Sequence, residues 1–107
     1  MNNSQMTAIN KEAIYAQIKT IFDPEIPINI YELGLIYDVL VKDEGKVQVV
    51  MTLTAPACPA AELLPEEVKT KVGQVEGVTE VEIELTFDPP WDKDMITEEG
   101  KLELGML

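Results

Sequence analysis

The stretch Val47-Gln-Val-Val-Met-Thr-Leu-Thr-Ala-Pro-Ala-Cys-Pro-Ala-Ala-Glu-Leu-Leu64 decides the fold. Val47, Val49, Met51 and Leu53 alternate with Gln48, Val50, Thr52 and Thr54, the period of a strand with one face turned to a core. Beyond Cys58 the spacing becomes helical, with Leu64, Val68, Val72 and Val75 on one face and Gly77 as a left-handed terminator. Pro59 suits a first helical position, where its missing N–H costs nothing. Pro65 is the irregular residue: inside a helix it removes a hydrogen bond, so the helix either kinks or makes its proper start there. Further on, Val81, Ile83, Leu85 and Phe87 alternate with Glu80, Glu82, Glu84 and Thr86, which predicts a strand with one core face and one acidic, solvated face. A strand, helix and strand in this order predict a right-handed crossover and parallel pairing.

Upstream, Leu35 to Val41 reads as a strand joined to the first stretch through Lys42-Asp-Glu-Gly-Lys46, a hairpin. Ile14, Ile18, Ile21 and Phe22 recur at helical spacing, with Asn10 as cap and Ile9 placed to pack on Ile14, so the first helix is predicted over about Lys11 to Phe22. Asp23-Pro24 stops it. The segment Asp23 to Gly34 reads as a packed, proline-bearing connection. Downstream, Asp88-Pro-Pro-Trp91 breaks the last strand, with Trp91 read as a lid on the core. A short C-terminal helix is predicted over Thr97 to Leu104, with Thr97 as its cap and Gly100 as its weak point. The order is that of a two-layer α/β domain, α-β-β-α-β with a mixed sheet and a short C-terminal helix. One domain spans residues 1–107, with 1–8 expected as a flexible N-terminus. The pattern leaves open whether the third strand lies beside the first or the second.

The chain has 107 residues and a net charge of −12, from eight basic residues, all lysine, against 20 carboxylates. Such a surface repels nucleic acid and anionic lipid, and without arginine or a glycine-rich loop it lacks the usual means of holding phosphate. The absence of histidine excludes Ser-His-Asp and Cys-His catalysis and imidazole metal sites. One cysteine makes no internal disulfide, the N-terminus lacks a signal-peptide pattern, and no apolar run spans a membrane, so a cytoplasmic protein is expected. The chemistry left is a thiol, carboxylates, hydroxyls and backbone.

That thiol, Cys58, falls between strand and helix. Backbone N–H groups at a helix start have no intrahelical partner and favour a thiolate. Against this, free cysteine commonly serves as a small buried apolar residue. Both readings stand on the residues alone.

Asp23-Pro-Glu-Ile-Pro-Ile-Asn-Ile-Tyr-Glu-Leu-Gly-Leu-Ile-Tyr-Asp-Val39, Met51-Thr-Leu-Thr54, Cys58-Pro59 and Phe87-Asp-Pro-Pro-Trp91, in this order, make the chain resemble the metal-sulfur cluster assembly factors of the SufT and PaaD-like group. The resemblance runs from the first helix to the Lys101-Leu-Glu-Leu-Gly-Met-Leu107 tail. It implies an iron-sulfur cluster assembly domain, and a non-catalytic role in maturing clusters or carrying them to apo-proteins. The motif positions of the family fall here on Asp23, Glu25, Thr54 and Cys58. Family members commonly have a second threonine after the Thr54 position and a glycine before the cysteine; Ala55 and Ala57 stand there instead, removing one hydroxyl.

Iron in clusters is usually held by thiolates, and one domain here supplies one, so no cluster is expected to be held stably by the monomer. Cys58 as the metal-facing group then has three modes for a transient cluster or iron: sharing a cluster edge with a client's cysteines, pairing with Cys58 of a second subunit in a homodimer, or acting with Asp23 and Glu25 as oxygen ligands. The plainer roles are a turn cap for Asp23, a solvated Glu25 and a backbone bond for Thr54. The partners implied are apo iron-sulfur proteins and the assembly machinery. The competing functions are a PaaD-like adaptor subunit of a larger enzyme complex and, last, a single-thiol enzyme, for which no resolving cysteine or neighbouring base is evident.

Overall fold

The structure is a computed structural model that describes residues 9–23, 26–54 and 60–105. Helix α1 covers Lys11–Ile18, with the Asn10 side chain accepting from the Glu12 N–H, and buries Ile14 and Ile18. It ends earlier than its periodicity suggests. Ile21 is buried, but Phe22 is 55% exposed and sits in an isolated bridge to Asn29 that folds the following loop back on itself. The predicted connection holds a further short helix, α2, Ile30–Leu33, with Asn29 accepting from the Glu32 N–H and Gly34 closing it in the left-handed region.

Strand β1, Ile36–Val41, pairs antiparallel with β2, Lys46–Met51, and β2 pairs parallel with β3, Glu80–Leu85. The order β1-β2-β3 puts the third strand beside the second, the point left open by the pattern, and the mixed sheet stands as expected. Helix α3, Ala60–Val72, makes the crossover and contains Pro65 within its span, so the helix does not wait for Pro65 to begin. It packs on β3 and on α1, and α2 packs on both α1 and the last helix, α4, Glu98–Glu103. The core between sheet and helices takes Val39, Val47, Val49, Met51 and Leu53 from the sheet side and Ile14, Ile18, Leu64, Val68 and Val72 from the helices.

Two readings need correction. The core face of β3 fades along the strand: Val81 is buried and Ile83 half-buried, but Leu85 and Phe87 are 38% and 39% exposed. Alternation reports which face a side chain takes, not how far the covering helix reaches. Gly100 is not a weak point. It is buried, and a Cβ there would lie 2.9 Å from Ile96 Cγ2, 3.0 Å from the Glu32 carbonyl oxygen and 3.0 Å from Ile28 Cδ1, so α4 lies too close to the α2 region for any side chain. Thr97 caps α4 as predicted, accepting from the Gly100 N–H at 3.1 Å.

The exposure of Leu85 sets a measurable expectation. A carboxylate placed there keeps much of its hydration, so Leu85→Asp should cost only about 1 kcal/mol, the ordinary scale for a partly exposed site. Thermal unfolding checks this, and loss of the folded state would mean that Leu85 belongs to the core after all.

Candidate functional site

The carboxyl end of β2 is fixed from both sides. The Thr52 N–H donates to the Leu35 carbonyl at 2.8 Å, and the Met51 carbonyl accepts from the Thr86 N–H at 2.9 Å. Thr52 and Leu53 are buried and Thr54 is half-buried, so the chain is held until Thr54 and regular again from Ala60, the first residue of α3. Cys58 is carried on the segment between these points. That segment and Glu25 lie outside the described residues, so the geometry speaks to Asp23 and Thr54 alone.

Asp23 is 5% exposed, and its Oδ1 accepts from the Ile26 N–H at 3.1 Å, closing the turn after α1. The turn-capping role given as its plainer reading is therefore real. Among the described residues, Thr52 Oγ1 is buried with no partner that meets hydrogen-bond geometry, two residues before Thr54. Beside this end of the sheet, the Tyr37 hydroxyl donates to the Pro89 carbonyl at 2.7 Å, and burial pushes its phenol above the ordinary tyrosine value, so it stays a neutral donor near pH 7. Trp91 Nε1 donates to the Leu33 carbonyl at 2.7 Å and its ring is partly buried on the core, which makes it the lid expected.

Sequence reasoning passed over Glu32, a carboxylate 8% exposed. It accepts from the Thr97 hydroxyl, its backbone carbonyl accepts from the Thr97 N–H at 2.9 Å, and Lys19 Nζ lies 3.9 Å from Oε2. Lys19 also sits 4.9 Å from the centre of the Tyr31 ring. The network joins α1, α2 and the start of α4. Its signal was present in Asn29-Ile-Tyr-Glu32, the spacing of a capping box. Among the described residues, no group of three or more carboxylates and thiols converges as a metal site.

Because β2 and β3 are parallel, with Met51 opposite Leu85, their carboxyl ends emerge together. The exposed apolar residues Leu85 and Phe87 thus leave the sheet at the same end as the chain that carries Cys58. The result is a small α/β domain with a mixed sheet, whose sole cysteine falls in sequence between β2 and α3. The chain belongs to the iron-sulfur cluster assembly protein family, whose sequence profile matches residues 11–84. It is 53% identical over 107 residues to an Fe-S protein maturation auxiliary factor of Porphyromonas gingivalis, with all of both chains covered. It is 40% identical over 86 residues to the Fe-S protein maturation auxiliary factor SufT of Staphylococcus aureus, covering 80% of this chain and 98% of the other. In three dimensions it is similar to a crystal structure of a domain of unknown function from Bacillus anthracis, with a TM-score of 0.83, 32% identity, and 90% of this chain and 92% of the other covered.

Proposed function

We propose that this chain is an auxiliary factor in the maturation of iron-sulfur proteins, carrying a cluster or its iron to apo-protein clients with Cys58 as the metal-facing group. The observation that carries this reading is the position of the only thiol of the chain, on the crossover between β2 and α3. Iron in clusters takes thiolate ligands, and a single thiolate gives a hold weak enough to release to a client with several cysteines. Cargo passes by ligand exchange, each client thiolate replacing Cys58 or another transient ligand, so no acid-base machinery is called for and the role is non-catalytic. The full-length similarity to a chain named as a maturation factor favours this over the adaptor reading. Asp23 and Glu25 serve as auxiliary groups and Thr54 holds the approach to the thiol. The lack of any helix long and apolar enough to cross a membrane, among the described residues, is compatible with work in the cytoplasm.

Deletion of the gene tests the reading. The activity of a cluster-dependent dehydratase, divided by the abundance of its polypeptide, should fall several-fold and recover when the purified apo-enzyme is reconstituted with iron and sulfide. Unchanged specific activity in the deletion strain, under both iron-replete and iron-poor growth, would remove the maturation role.

A further inference from the structure

Among the described residues, the outer edge of β3 is open. The Thr86 N–H donates to the Met51 carbonyl, and Met51 stands opposite Leu85. In a parallel ladder this phase turns the N–H and C=O groups of residues 82, 84 and 86 toward β2 and those of 81, 83 and 85 away from it. Among the described residues, no backbone hydrogen bond from another element reaches those outward groups. A strand edge of this kind is a template for a further strand.

The side chains at this edge specify what fits. On the helix side a groove of about 710 Å³ runs along the strand, walled by Pro65, Glu66 and Lys69 of α3 and floored by Val81, Ile83 and Leu85. On the opposite face Glu80, Glu82 and Glu84 form a row of exposed carboxylates, one of them, Glu84, accepting from Gln48 Nε2 at 2.7 Å. A strand laid beside β3 places alternate side chains over the carboxylate row, within about 5 Å between Cβ atoms, and the others in the groove. Pairing of β3 with β3 of a second copy is disfavoured by charge, since it sets the carboxylate rows side by side on chains of net charge −12. We propose that the outer edge of β3 receives, as a fourth strand, an extended segment of a partner polypeptide in which lysine or arginine alternates with apolar residues. The inference does not rest on the role of Cys58.

The test uses the full chain, isotopically labelled for amide NMR, and a synthetic peptide of about seven residues, acetyl-Lys-Val-Lys-Val-Lys-Val-Lys-amide, of a length matched to a typical strand. Shifts should concentrate on residues 80–86 and on Glu66 to Lys69. Two further peptides carry N-methyl groups on alternate amides, in opposite phases. One phase should bind at least tenfold more weakly and the other little changed, because only every second amide faces the edge. Exchanging the lysines for glutamates should abolish binding. The double variant Glu80→Lys, Glu82→Lys, whose amide spectrum reports its fold, should also lose at least tenfold. The proposal is overturned by no binding of the parent peptide, by shifts that lie elsewhere, or by equal binding of both N-methylated peptides, which would show mere charge attraction.

Discussion

Gly34→Ala is expected to remove a large part of the stability of this domain. Gly34 has φ +85°, and a Cβ there would overlap the Met95 carbonyl oxygen and lie 2.9 Å from its carbon. The left-handed conformation alone costs a residue with a side chain about 1–2 kcal/mol. The overlap is with backbone, which no rotamer change relieves, and forced packing of this kind costs about 1–3 kcal/mol more. A loss of about 3 kcal/mol takes a large share of the roughly 5–15 kcal/mol by which domains are stable. It should lower the midpoint of thermal unfolding by roughly 15 °C for a chain of this size. Gly105 is the control: it also has positive φ, +76°, but a Cβ there meets nothing within 4 Å. Gly105→Ala should therefore show the conformational cost alone. Equal losses for the two variants would mean that the approach of Met95 to Gly34 does not limit the fold.

The contrast between those glycines shows what the sequence could and could not disclose. Period-two alternation located β2 and β3, and the strand-helix-strand order gave their parallel pairing, because both depend on local pattern and on the handedness of the chain. The limits of burial depended on neighbours distant in sequence. Leu85 alternates correctly and is still 38% exposed, and Gly100 looks like a helix breaker until α2 is seen pressed against it. The short helix Ile30–Leu33 was hidden by its length, since four residues make barely one turn, though its Asn29 cap and Gly34 terminator stood in plain order. The site was legible in a different way. Asp23 takes its place at a turn for a reason local to it, its bond from the Ile26 N–H, whereas a carboxylate such as Glu32 becomes informative only when Thr97 and Lys19 arrive beside it.

In the deletion strain, complementation with Cys58→Ser is expected to restore little cluster-dependent dehydratase activity, leaving it within about twofold of the strain with no gene at all. A serine hydroxyl has nearly the shape of a thiol but is a hard, protonated oxygen at neutral pH, and iron in clusters prefers soft thiolate. Abundance of the variant, measured in the same extracts, separates this effect from loss of the protein. Asp23→Asn provides the comparison, and its geometry makes it informative. The Asp23 Oδ1 accepts from the Ile26 N–H at 3.1 Å, and an amide oxygen can take the same bond, so the turn survives while the charge is removed. Activity intermediate between wild type and Cys58→Ser would mean that the carboxylate assists the thiol. Full activity would confine Asp23 to the turn. Full rescue by Cys58→Ser at normal abundance would take the metal-facing role from Cys58 and leave a factor that acts by docking alone, through surfaces such as the exposed Leu85 and Phe87 at the same end of the sheet.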